Sequence, residues 1–119
     1  MKPIKLKIKT KAQQYSIIIG SNISINISKI IRDNLINPNK FLLIIDKNVP
    51  KKIIYKIKKS LIKKQLYVYF IKANEINKNL NIIVKILDVL LNKNFSREDC
   101  IISIGGGITG DISGFAASL

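Results

Sequence analysis

Hydrophobic and polar positions alternate at the start of the chain. Ile4, Leu6 and Ile8 interleave with Lys5, Lys7 and Lys9, the period-two pattern of a half-buried strand. After the polar Thr10–Gln14 stretch, Tyr15–Ile19 predicts a second strand that closes at Gly20, so the two form a β-hairpin. The period then changes. Ile23, Ile27, Ile30 and Ile31 recur at helical spacing until Asn37-Pro38-Asn39 turns the chain. Lys40–Asp46 is a continuous apolar run, the form taken by parallel strands covered on both faces. A helix follows, with Pro50 in its first turn, a stripe of Ile53, Ile54, Ile57, Leu61 and Ile62, and lysines on its other faces.

The same alternation repeats twice more. Leu66–Ile71 predicts a strand, Ala73–Asn79 a polar loop, and Ile82, Ile83, Ile86, Leu87, Leu90 and Leu91 a helical stripe. Ser96–Asp99 turns into a last strand over Ile101–Ile104, and a glycine-rich loop leads into a final helix. Strands alternating with helices predict an α/β fold of Rossmann-like type: a mostly parallel sheet of βαβ units with an N-terminal β-hairpin. The 119 residues suffice for one domain, 1–119. No C-cap glycine or polar tail closes the last helix, so the chain reads as a domain truncated at its C-terminal end.

Charge first points elsewhere. The net charge of +14, from 21 Lys+Arg against 7 Asp+Glu, raises nucleic acid or an anionic membrane as a partner. Yet 19 of the 21 basic residues are lysine, and isoleucine (27) and asparagine (12) are over-used alongside it. All three are residues of A/T-rich codons, so compositional bias explains the charge. Arginine, which makes bidentate base contacts, occurs only at Arg32 and Arg97, which weighs against a small basic nucleic-acid-binding protein. One cysteine, Cys100, excludes an internal disulfide and suits a reducing cytoplasm; its place beside an apolar strand makes it a small hydrophobe rather than a nucleophile. Without histidine, the chain alone offers no His-activated nucleophile and no His-ligated metal. No apolar run has the length of a membrane span and no signal-peptide core follows Met1-Lys2-Pro3, so a soluble, cytoplasmic protein without membrane contact is expected.

In open α/β sheets, ligands bind beyond the carboxyl ends of the strands. Three loops lie at such ends. In Asp46-Lys47-Asn48, the acid either accepts hydrogen bonds from ribose hydroxyls or caps the next helix. In Asn74–Lys78, Glu75 and Lys78 either hold ribose and a phosphate or sugar oxygen, or form a surface ion pair. The third, Gly105-x-Gly107-x-x-Gly110, has dinucleotide-fingerprint spacing between a strand and a helix. Glycines there let backbone N–H groups approach a pyrophosphate, backed by the positive end of the helix dipole. A plain glycine turn is the alternative. The fingerprint usually follows the first strand of its sheet, whereas this one follows the last.

The whole phrase GGGITGDISGFAAS resembles the signature of 3-dehydroquinate synthases, three glycines running into G-D-x-x-G-F-x-A. Glycerol dehydrogenases and iron-type alcohol dehydrogenases share the triple glycine and aspartate but continue with a lysine-bearing D-x-A-K, whereas Asp111 here leads into Ile112-Ser113-Gly114-Phe115. Glu75 and Lys78 keep the family's E-x-x-K spacing, although its preceding Pro-Asp-Gly is Lys72-Ala73-Asn74 here.

The resemblance implies a lyase of the shikimate pathway to aromatic amino acids, turning 3-deoxy-D-arabino-heptulosonate 7-phosphate into 3-dehydroquinate and phosphate. It implies NAD as cofactor, held by Asp46, Asn48, Asn74, Glu75, Lys78, Gly106, Gly107, Ile108, Thr109, Gly110 and Asp111, with the pyrophosphate along Gly106–Ile108 and the nicotinamide ribose near Asp111. It also implies a divalent zinc or cobalt ion, a small sugar phosphate substrate, a homodimer, and a missing C-terminal helical domain. That domain carries the metal ligands and substrate-gripping residues, so no catalytic or metal-ligating residue is expected on these 119 residues and the chain should be inactive alone. Ile108, Ile112 and Phe115 are expected to form apolar surface that this domain covers. Another sugar phosphate cyclase, or a dehydrogenase relative, is the nearest alternative.

Overall fold

Leu42, Leu43, Ile44 and Ile45 are fully buried, and the fold is organised around them. The computed structural model describes residues 3–11, 14–33 and 37–119. Strand β3 (Lys40–Asp46) is flanked by β4 (Gln65–Ile71) and β5 (Cys100–Ile104) in the order β4-β3-β5, all parallel. As the central strand it is covered on both faces, which is why its sequence shows no alternation.

Successive β3 side chains point to opposite faces and found two cores. Phe41, Leu43 and Ile45 pack with Ile54 and Ile57 of α2 (Lys51–Ser60), with its C-cap Leu61, and with Ile27 and Ile31 of α1 (Ile27–Asp33). Leu42 and Ile44 pack with Ile83 and Ile86 of α3 (Leu80–Asn92), and with Ile112 and Ala116 of α4 (Gly107–Ser118). The result is a three-layer α/β/α sandwich. The N-terminal hairpin of β1 (Ile4–Lys9) and β2 (Gln14–Ile19) is an antiparallel sheet of its own. The expected α/β order therefore holds; part of the turn between these two strands, and residues 34–36 before Asn37, lie outside the described residues.

Some stripe positions are corrected. Ile53 and Ile62 are 39% and 75% exposed: the buried side of α2 carries Ile54 and Ile57 and continues to its C-cap Leu61, and Ile62 lies beyond that cap. Leu91 is 74% exposed on the last turn of α3. The segment expected to be helical from Ile23 starts as a 3-10 turn, Ile23–Asn26, before α1. Of the three apolar residues expected on the surface, Ile112 is 2% exposed beneath the sheet, Ile108 is half-buried and Phe115 is 48% exposed.

The amino-terminal edge of the sheet is fastened by Asp99. Its carboxylate accepts hydrogen bonds from the N–H of Ser96 (2.9 Å) and of Lys40 (3.1 Å), tying the turn before β5 to the start of β3. The Ser96 N–H chiefly, then Lys40's N–H and charge, hold this carboxyl below its ordinary value against the opposing effect of burial. A folded-state value below the unfolded one means that the contribution is complete above the unfolded value near 4 and is lost as pH falls through the folded one. Asp99→Ala should cost about 1 kcal/mol at neutral pH. The deficit should shrink in urea titrations run at successively lower pH below about 4.

Candidate nucleotide site at the carboxyl edge of the sheet

Chain order and sheet order diverge at one place. The chain runs from β3 outward to β4, then crosses to the other side of β3 to form β5. The crevice between β3 and β5 is the topological switch point, where open α/β sheets take their ligands. Asp46 ends β3 there, and the glycine loop leaves β5 beside it. The fingerprint follows the last strand in the chain, yet in space it adjoins the first parallel one.

The loop is built for two purposes by different glycines. Gly105 has φ +152°, and a Cβ there would lie 2.6 Å from Thr109 Oγ1 and 3.1 Å from the Asp46 Cβ. It is glycine so that β5 can turn tightly into α4 against Asp46. Gly106, Gly107 and Gly110 differ: a Cβ at any of them would meet nothing within 4 Å. Their bareness serves no contact inside the described chain and leaves open backbone facing outward.

Helix α4 begins with Gly106 as its N-cap, which has no side chain to satisfy the first turn. Its first helical bond runs from the Gly110 N–H to the Gly106 carbonyl (3.1 Å), so the N–H groups of Gly107, Ile108 and Thr109 have no helical acceptor. A 12-residue helix also brings a partial positive charge to this end. Thr109 Oγ1 is buried beside Gly105 without a hydrogen-bond partner among the described residues. Open donors, absent side chains and the dipole together fit an anionic, phosphate-bearing group.

The other two loops converge on this one. Asp46 does not cap α2, whose N-cap is Pro50; its Oδ1 accepts the Asn48 N–H (3.2 Å) in a turn of its own. The helix-capping alternative is thus overturned. Lys47 N–H donates to the Ile71 carbonyl (2.8 Å), joining this turn to the end of β4. Asn74 is half-buried just after β4, and Glu75 opens a 3-10 turn, Glu75–Asn77. Lys78 reaches across to Asp111 on α4 (Nζ–Oδ2 2.9 Å). The Asp111 carboxylate, helped by nearby Glu75, raises the lysine above its ordinary value, so the lysine stays charged through neutral pH and gives up its proton only as pH rises through that raised value. Both partners are exposed, so the bond positions loops more than it stabilises the fold.

An open cleft of about 410 Å³ adjoins the pair between α3 and α4, lined by Leu80, Ile83, Ile112 and Phe115. It meets the site only through Lys78 and Asp111; the loop glycines lie outside it. Sequence reasoning missed the role of Gly105, although its place directly after the strand was a usable signal. It also did not foresee the Lys78–Asp111 pair, which joins residues 33 apart. Among the described residues, no group of three His, Cys, Asp or Glu side chains is placed to hold a metal ion, so a divalent metal does not fit the residues here. Cys100 packs against the core, and burial pushes its thiol up, away from nucleophilic use at neutral pH.

Sheet, switch point and glycine loop define an α/β domain with open backbone at its carboxyl edge. The fold matches crystal structures of 2-deoxy-scyllo-inosose synthase at TM-scores of 0.84 and 0.83, with 19% and 20% identity over 98% of this chain and about a third of theirs; one holds carbaglucose-6-phosphate, NAD⁺ and Co²⁺. In sequence, residues 68–119 match the family model described as 3-dehydroquinate synthase N-terminal. The 3-dehydroquinate synthase of Pelagibacter ubique is 53% identical over 97% of this chain, and that of Clostridium kluyveri 34% over 99%. The chain spans about a third of these relatives (31% and 33% of their lengths).

Proposed function

We propose that residues 1–119 form the NAD-binding domain of a 3-dehydroquinate synthase. The observation that carries this is the open backbone of Gly106, Gly107 and Gly110 at the switch point, directly after Gly105, whose Cβ position would abut Asp46. In this reading the N–H groups of Gly107, Ile108 and Thr109 bind the pyrophosphate. Asp46, its turn set by the Asn48 N–H, uses its free carboxylate oxygen for a ribose hydroxyl. Asn74, Glu75 and Lys78 close the site from the β4 side, and Asp111 steers Lys78 and borders the nicotinamide ribose. NAD, when bound, supplies transient hydride acceptance and return. The chain's own residues hold it and fix its orientation.

The overall reaction, from 3-deoxy-D-arabino-heptulosonate 7-phosphate to 3-dehydroquinate and phosphate, needs groups that these residues do not provide. Among the described residues, no helix is long and apolar enough to cross a membrane. Purified alone, the chain should bind NAD yet release no phosphate from the heptulosonate. Adding the C-terminal two-thirds of the Pelagibacter relative as a separate polypeptide, with zinc or cobalt, should give NAD-dependent phosphate release. Turnover by the 119 residues alone would contradict this division of labour, and absence of NAD binding would contradict the site.

A further inference from the structure

Thr109 is completely buried, yet among the described residues its Oγ1 is the one buried side-chain N or O atom without a hydrogen-bond partner. The other buried polar side chain of α4 shows the usual arrangement: Ser113 Oγ donates to the Thr109 carbonyl (2.8 Å). Buried polar groups are nearly always paired, because an unpaired one has lost its hydration and gained nothing in return. Valine has the same shape as threonine and would fill this place without that loss. An unused hydroxyl at the ligand edge of a sheet marks a position where local stability is given up for another purpose.

The hydroxyl's place narrows what that purpose is. A Cβ at Gly105 would lie 2.6 Å from Thr109 Oγ1 and 3.1 Å from the Asp46 Cβ, so the hydroxyl and the Asp46 side chain flank the same small space, left by the glycine. The Asp46 carboxylate is half-buried, and its Oδ1 accepts the Asn48 N–H (3.2 Å). Carboxylate oxygens have room for further hydrogen bonds. Lys78, the nearest cation of the converging loops, is engaged by Asp111 instead (2.9 Å). We infer that Thr109 is a positioning residue for Asp46: when a nucleotide fills the crevice, Thr109 Oγ1 donates to the Asp46 carboxylate and fixes the oxygen that takes the ribose hydroxyl. The inference rests on the NAD reading above. Its physical basis is desolvation. A bound nucleotide strips water from the carboxylate, and a charged acceptor that loses its water takes up an uncommitted donor within reach. The same bond joins the ribose end of the site to the first turn of α4, whose N–H groups serve the phosphate end.

Calorimetric titration with NAD and thermal melts without it, on the wild-type chain, Thr109→Val and Thr109→Ser, test this. Thr109→Val should bind NAD roughly tenfold more weakly, the effect of losing one hydrogen bond to a charged group. Its melting temperature without NAD should be no lower than wild type, because the hydroxyl has no partner to lose in the free protein. Thr109→Ser, which keeps the hydroxyl, should bind NAD as wild type does. In an Asp46→Ala background the Thr109→Val effect should disappear, since the group being positioned is gone. Equal NAD affinity in wild type and Thr109→Val would overturn the inference, as would an undiminished effect without Asp46. A lower melting temperature for free Thr109→Val would overturn it too, by showing that the hydroxyl serves the fold. A wild-type chain that binds no NAD at all would instead remove the site reading on which the inference rests.

Discussion

Gly107→Val should lower NAD affinity at least a hundredfold, about 2.7 kcal/mol, while the melting temperature and far-UV circular dichroism stay close to wild type. A Cβ at position 107 has no neighbour within 4 Å, so its branch enters open space rather than the core. Position 107 opens α4, where exchanging glycine for valine changes helix propensity by well under 1 kcal/mol. The same branch stands over the unpaired N–H groups of the first turn, where a phosphate oxygen has to come within about 3 Å. The effect therefore falls on binding and spares folding. Calorimetric titration of both proteins with NAD decides it, and equal affinities would exclude the loop as the pyrophosphate site.

Two residues earlier the balance reverses. Gly105→Val should destabilise the fold by about 3 kcal/mol or more, a large share of the 5–15 kcal/mol that holds a domain of this kind together. At φ +152° an L side chain is strained, at a cost of roughly 1–3 kcal/mol. Its Cβ would also press on Thr109 Oγ1 at 2.6 Å, Thr109 Cβ at 3.0 Å and the Asp46 Cβ at 3.1 Å. Asp46 belongs to the central strand, which cannot shift without moving both cores. Thr109→Ala should recover part of the loss by removing the nearest atom, so the double variant should be more stable than the sum of the single effects implies. Urea unfolding of the three variants measures this; a Gly105→Val protein as stable as wild type would mean that the tight turn is not needed.

These two glycines show what was legible from residues alone. The apolar run Lys40–Asp46 and the helical stripes announced the parallel sheet and its covering layers, because burial on two faces or along one stripe leaves a periodic trace. The three site loops could be found because each directly follows a strand. The division of labour within the glycine loop could not. Gly105 and Gly107 are the same letter, and only the backbone angle and the neighbouring Asp46 and Thr109 separate structural need from open space. The Lys78–Asp111 pair was equally hidden, since sequence spacing suggested Glu75 as the lysine's partner, whereas α4, packed beside α3, brings Asp111 to it from 33 residues away. The position of the fingerprint after the last strand became intelligible only with the β4-β3-β5 order, a property of pairing that no local pattern carries. Burial of Ile112 was misjudged for a related reason: α4 turns that residue under the sheet, leaving Phe115 as the open one.

The claim that NAD sits at this switch point is tested most directly by titrating the ¹⁵N-labelled protein with NAD and following its amide resonances. Saturable shifts should concentrate in Gly105–Asp111, Asp46–Asn48 and Asn74–Lys78, led by the unpaired N–H groups of Gly107, Ile108 and Thr109. Shifts centred instead on the lysine-covered faces of α2 or on the hairpin, or none at millimolar NAD, would contradict it.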